Sequence, residues 1–84
     1  MQEKMDVPRF PLYRRSLNGL NWYRIESATE FTEVQKVGSR YVVHSIQATA
    51  YPEMLRIMVL ITLEDGHVLE CPPEEVERLL TETD

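Results

Sequence analysis

The stretch MLRIMVLITL, residues 54–63, is the longest nearly unbroken apolar run in the 84-residue sequence. Read with the two-residue period of a β-strand, it has one wholly apolar face and one mixed face. The apolar face consists of Leu55, Ile57, Val59, Ile61 and Leu63, and the mixed face consists of Met54, Arg56, Met58, Leu60 and Thr62. This pattern predicts a central strand that has the core on one side and partial cover on the other. The ten-residue run is too short to cross a membrane.

Turn-forming residues stand on both sides of this run. Tyr51-Pro52-Glu53 predicts a turn or bulge before it, and Asp65-Gly66 after it is a dipeptide typical of β-hairpins. Residues 67–70 are therefore predicted to form the returning strand.

The C-terminal segment carries the signals of a short helix. Pro73 suits the first helical position, and the carboxylates of Glu74 and Glu75 suit the positive end of a helix dipole. The i, i+3, i+4 spacing of an apolar stripe then follows at Val76, Leu79 and Leu80. A helix this short is unstable alone, so it is expected to pack on the sheet, against the apolar face of the 54–63 strand.

Residues 12–26 predict a first hairpin around Asn18-Gly19, the pair preferred by a two-residue type I′ turn. That turn sets the register of the two strands. It places Leu17 opposite Leu20, Arg15 opposite Trp22, Arg14 opposite Tyr23, and Tyr13 opposite Arg24. Three arginine–aromatic pairs across one hairpin suggest cation–π contacts, each worth roughly 0.5–1 kcal/mol at an exposed site.

Residues 27–37 allow two interpretations. Ser27 and Glu30 have capping-box spacing, which would begin a short helix that ends at Gly38. The β-branched side chains of this segment, and a Gly38-Ser39 pair suited to a hairpin turn, favour a strand that pairs with residues 40–50. In that register Phe31 faces Ile46, Glu33 faces His44, Val34 faces Val43, Lys36 faces Tyr41, and Val37 faces Arg40.

The same middle part of the chain resembles a group of short bacterial proteins that are themselves uncharacterised. The resemblance rests on the spacing of Tyr23, Ile25, Ser27, Thr29, Glu30, Phe31, Glu33, Gln35, Gly38 and Tyr41. It implies a bacterial source and a strand over residues 30–37, and it implies no activity.

Length and composition indicate one domain, residues 12–84, preceded by a flexible or extended arm at residues 1–11 that contains Pro8 and Pro11. The single cysteine, Cys71, permits no internal disulfide, and the N-terminus has no signal-peptide pattern, so a cytoplasmic location is expected. The net charge of −5 argues against nucleic-acid binding by the whole surface. Residues 1–24, however, hold five basic and two acidic residues.

Residues with catalytic or metal-binding chemistry are few. His44, His67 and Cys71 form none of the usual zinc spacings, the serines lie in no nucleophile motif, and the three glycines are isolated turn residues. We therefore expect no enzyme activity, no metal and no cofactor.

The sequence thus predicts an α+β fold in which about six short strands form an antiparallel β-meander and one C-terminal helix packs on the sheet. Two surfaces are candidates for binding. The first hairpin offers a basic-aromatic surface formed by Tyr13, Arg14, Arg15, Trp22, Tyr23 and Arg24. The mixed face of the apolar run offers a dimer face at Met54, Arg56, Met58 and Leu60.

The expected function is that of a small protein-interaction module that forms a homodimer and binds no membrane, with another protein as a further partner. The alternative is an accessory binder of single-stranded nucleic acid that uses the first hairpin. The two differ in their response to salt, because phosphate binding weakens steeply as salt rises.

Overall fold

The computed structural model describes residues 9–64 and 66–82. In that part of the chain it has five strands and two helices, which confirms the α+β class. The strands are β1 (Leu12–Ser16), β2 (Asn21–Ser27), β3 (Glu30–Val37), β4 (Arg40–Gln47) and β5 (Val68–Glu70), and the helices are α1 (Tyr51–Thr62) and α2 (Pro73–Glu82).

The five strands form one antiparallel sheet in the order β4-β3-β2-β1-β5. Strands β1 to β4 make the predicted meander. Strand β5 pairs with β1 at the opposite edge, so that Arg15 lies opposite Leu69. The expected count of about six strands and one helix is wrong, because the 54–63 run is helical.

Contacts at its two ends help to explain why the 54–63 run is helical rather than a strand. Helix α1 begins after Ala50, which is extended, and the carboxylate of Glu53 in its first turn accepts the N–H of Thr49 at 3.1 Å. It ends at Thr62, and the capping residue Leu63 has a positive φ of 62° and donates its N–H to the carbonyl of Val59 at 2.9 Å. A continuous apolar run is compatible with the period of a strand and with that of a helix. The length of this run and its helix-forming Met and Leu residues are the features that favour a helix.

The registers of both predicted hairpins are confirmed. Arg15 lies opposite Trp22 in the first, and Val37 opposite Arg40 in the second. The turn of the first hairpin differs from the expected type I′ turn. Gly19 has a positive φ of 75° and Asn18 does not, and the connection is closed by the side chains of Ser16 and Asn18, which accept the N–H of Leu20. Residues 30–37 form a strand, as favoured.

The sheet lies between the two helices. On one face α1 covers a core that contains Tyr23, Ile25, Phe31, Ile57, Leu60 and Val68. On the other face α2 packs over β1, β2 and β3, where Val34 and Val76 are fully buried. The C-terminal helix was predicted to pack on the sheet, which is confirmed. The prediction that it packs against a strand at residues 54–63 is wrong.

Two predicted features fall wholly or partly outside the described residues. The arm at residues 1–11 is described only from Arg9 onward, and Phe10 packs against the edge of the core. Asp65 of the expected Asp65-Gly66 turn is also outside. Residues 54–63 are not a strand, so that turn joins no hairpin.

Candidate interaction surfaces

The six residues of the basic-aromatic surface lie on two opposite faces of the sheet. Side chains alternate along a strand, so Arg14 and its cross-strand partner Tyr23 face α1. Tyr13, Arg15, Trp22 and Arg24 face α2 instead. The structure therefore divides the predicted surface into a pair and a group of four.

Arg14 is buried beneath the end of α1. Its Nε donates to the carbonyl of Leu60 at 2.8 Å, and its Nη2 donates to the carbonyl of Ile61 at 3.2 Å. Carbonyls in the last turn of a helix lack partners within the helix, and a cation is favoured at that negative end. Burial lowers the pKa of Arg14 from its usual value. Arg14 is thus a C-terminal cap for α1.

On the other face, Glu75 of α2 joins two members of the group of four. Its carboxylate accepts the indole Nε1–H of Trp22 at 2.8 Å and lies 3.2 Å from a guanidinium nitrogen of Arg15. Trp22 also meets Tyr41 edge to face, with ring centroids 5.9 Å apart.

Glu77, two residues further along α2, contacts Tyr13 and Arg24, the other two members of the group of four. It accepts the phenol of Tyr13 at 2.5 Å and a guanidinium N–H of Arg24 at 2.9 Å. Burial and this hydrogen bond raise the pKa of Tyr13 to about 12, and the same hydrogen bond lowers the pKa of Glu77. The acidic helix therefore covers the basic-aromatic group.

These contacts replace the expected cation–π pairs. In the part of the chain that the structure describes, the cation–π contact is the one between Arg56 and the Phe31 ring, 5.4 Å from its centroid. From the sequence alone, Glu75 was explained as part of a helix start, Glu77 was assigned no role, and the contacts of both with the first hairpin were missed. The available signal was the acidic charge of the last segment set against the basic charge of the first.

The predicted dimer face is also divided. Leu60 is buried in the core, and Arg56 turns toward the sheet, where its Nη2 lies 3.3 Å from the carboxylate of Glu33. Glu33 is buried and also accepts the side-chain amide of Asn21 at 2.7 Å. Met54 and Met58 remain exposed, one helical turn apart on the outside of α1.

Tyr51 and Leu55 extend this exposed pair into a continuous stripe, here called the α1 outer face. Positions i, i+3, i+4 and i+7 of a helix share one side. The exposed fractions are 72% for Tyr51, 45% for Met54, 42% for Leu55 and 57% for Met58. The side of the helix that holds these four residues carries no charged side chain.

Two cavities adjoin α1. The smaller, of about 220 Å³, is lined by apolar side chains, including those of Met54, Met58 and Ala28. The larger, of about 570 Å³, opens between α1 and the β1–β2 connection. Several of its polar groups already have partners, since Arg56 pairs with Glu33 and Asn18 closes the turn of the first hairpin.

Metal-binding groupings do not emerge from the described residues. Among them, no three His, Cys, Asp or Glu side chains converge as a metal site would require. Cys71 is buried, and burial raises its pKa to about 11, which disfavours the reactive thiolate.

Comparison with known proteins gives no relative: no family model, no curated protein and no solved structure matches this chain. Neither described helix has the length and apolarity needed to cross a membrane.

Proposed function

We propose that this chain is a small non-enzymatic interaction module of the bacterial cytoplasm that self-associates through the α1 outer face. The observation that carries the proposal is the exposure of Tyr51, Met54, Leu55 and Met58 along one side of a helix whose other side is already in the core. An apolar stripe of this kind on the outer side of a packed helix is more often a contact surface than an open surface.

The size of this apolar stripe suits a dimer contact. At about 200 Å² for a fully exposed large side chain, the four exposed fractions amount to roughly 400 Å² per copy. A standard interface buries about 800 Å² on each partner, of which about 57% is apolar, or about 450 Å². The stripe thus supplies nearly all the apolar area that one side of such an interface contains.

A second copy of this chain is the occupant that best fits this chemistry. The stripe has no charge to repel its own image, and two α1 helices related by a two-fold axis would each cover the other's methionines. Methionine side chains adapt to such packing because they are unbranched and flexible. Contacts of this kind, in which the same patch is used on both copies, are the commonest in homodimers.

Binding of single-stranded nucleic acid by the first hairpin receives less support from the geometry. The guanidinium of Arg14 is bonded to helix carbonyls, and those of Arg15 and Arg24 are bonded to carboxylates of α2. A phosphate would have to displace these partners.

The experiment is a comparison of assembled mass by light scattering for the unmodified protein, Met58→Lys and Thr81→Lys. Thr81 is exposed on α2, across the sheet from α1, so its replacement makes the same charge change elsewhere. We expect Met58→Lys to halve the mass at a given concentration and Thr81→Lys to leave it unchanged. Equal masses for all three proteins would contradict the proposal.

A further inference from the structure

The outer edge of β4 presents a row of backbone groups with no partner strand. Arg40, Val42, His44 and Ile46 direct their backbone groups toward β3, as the two-residue turn and the bond from Ala48 N–H to the Thr29 carbonyl require. The backbone groups that point away from β3 belong to the alternate residues Tyr41, Val43, Ser45 and Gln47. Within residues 9–64 and 66–82, no strand lies beyond them.

The two edges of the sheet are protected very differently. The β5 edge is three residues long and is followed by Pro72 and Pro73. The β4 edge is eight residues long, contains no proline and no glycine, and pairs with β3 in an unbroken register. Soluble proteins usually protect exposed edges by shortening, proline, charge or bulges, because an open edge is a template for pairing. The long open edge at β4, at the opposite side of the sheet from the protected β5 edge, therefore favours a strand partner at β4.

Both faces of β4 are accessible to such a partner. Every residue of the strand except Ile46 is exposed, because both helices pack toward the β1–β3 side of the sheet. Tyr41 and Val43 on one face, and Val42 on the other, are exposed by 37%, 42% and 37% respectively. A strand added here would bury apolar side chains on both faces as well as pairing its backbone.

For two copies of the chain, the charge of β4 favours antiparallel over parallel pairing. The strand has one arginine, Arg40, at its first position, and no carboxylate. Parallel pairing in register would place the two Arg40 side chains side by side. Antiparallel pairing about a two-fold axis near Val43 or His44 would separate them along the strands by about 20–27 Å, at about 3.4 Å per residue. That separation exceeds the screening length of about 10 Å at 0.1 M salt.

We propose that β4 pairs antiparallel with β4 of a second copy, so that two sheets join edge to edge into one continuous sheet. The pairing uses the one long open edge of each copy, so it closes at two copies and cannot extend as a fibre through the protected β5 edge. It is a second self-contact, separate from the α1 outer face. Two different two-fold contacts on one chain are what a tetramer with D2 symmetry requires.

The test measures assembled mass for Val43→Lys, Val43→Pro and the double variant Val43→Lys/Met58→Lys. The N–H of Val43 points outward, so proline there removes a donor from the edge without breaking the bonds to β3. Should Val43→Pro fail to fold, Val43→Lys still tests the contact. We expect each single variant to halve the mass of the unmodified protein and the double variant to be a 9.9 kDa monomer.

The outcomes separate the two self-contacts. If the Val43 variants keep the unmodified mass and the double variant matches Met58→Lys, edge pairing is wrong and the α1 contact stands. If Met58→Lys has no effect while Val43→Lys halves the mass, edge pairing stands and the α1 contact is wrong.

Hydrogen exchange gives a readout that needs no substitution. We expect the outward amides of Tyr41, Val43 and Ser45 to be protected at high concentration and to exchange faster on dilution. The inward amides of Val42 and His44 are the matched control, because their bonds to β3 persist at every concentration. Equal exchange of the outward amides at all concentrations would overturn the proposal.

Discussion

The guanidinium of Arg14, on β1, donates to the carbonyl oxygen of Leu60 at the end of α1, with 2.8 Å between Nε and the oxygen. These residues are 46 positions apart in the sequence. The bond holds α1 against the sheet and satisfies a carbonyl that the helix itself leaves without a partner. The side chains of Ile57 and Leu60, buried in the core, determine which side of α1 faces outward.

Replacing Arg14 with methionine should lower the free energy of unfolding by about 2–4 kcal/mol, because buried carbonyls lose charged donors. Arg15→Met is the matched control on the adjacent residue. Its ion pair with Glu75 is partly exposed, with 43% of the arginine side chain accessible, so its loss should cost less than about 1 kcal/mol. Urea unfolding of the two variants measures the difference. Equal losses for the two variants would contradict the role of Arg14 as a cap for α1.

The hydrogen bond between Tyr13 and Glu77 should stabilise the fold over a defined pH range. The pKa of Glu77 is lowered by folding, so its contribution is present above the unfolded pKa and is lost as pH falls through the lowered folded value. The pKa of Tyr13 is raised from 10.0 to about 12, so its contribution is complete below pH 10 and is lost between pH 10 and 12.

The measurement compares the unmodified protein with Tyr13→Phe. The difference in melting temperature should be largest between about pH 5 and 9 and should shrink at both extremes. The absorbance of tyrosinate near 295 nm should show one phenol, absent from Tyr13→Phe, that titrates near pH 12. A midpoint near 10 for that phenol would mean that the hydrogen bond does not form in solution.

Cys71 should resist thiol reagents in the folded protein. Burial raises its pKa to about 11, so at pH 8 about one thiol in a thousand is ionised, and the sulfur is also shielded. We expect alkylation at pH 8 to be slow in buffer and fast in denaturant, as measured by mass spectrometry. Equal rates in the two conditions would place Cys71 on the surface.

The two hairpins were predictable because turn dipeptides and residue alternation fix register locally. Asn18-Gly19 and Gly38-Ser39 gave correct cross-strand partners even though the turn type at Gly19 was wrong. The pairing of β5 with β1 was not predictable in this way. It joins residues far apart in the sequence, and no local pattern of Val68–Glu70 names its partner.

The surfaces were harder to predict than the strands. Alternation alone separates Arg14 from Arg15, but only the packed helices show that one lies beneath α1 and the other beside Glu75. Residues 54–63 were read with the period of a strand instead of that of a helix, so several residues were assigned to the wrong side of the run. A strand placed Leu60 beside Met54 and Met58, whereas the helix sends Leu60 to the core and brings Tyr51 and Leu55 outward.

Self-association is the central claim, and the molar mass of the unmodified protein tests it most directly. Light scattering coupled to size exclusion, over a series of concentrations reaching the high micromolar range, gives that mass without any substitution. The account predicts a mass that rises with concentration to at least twice the 9.9 kDa of one chain. A constant 9.9 kDa across the whole series would contradict it.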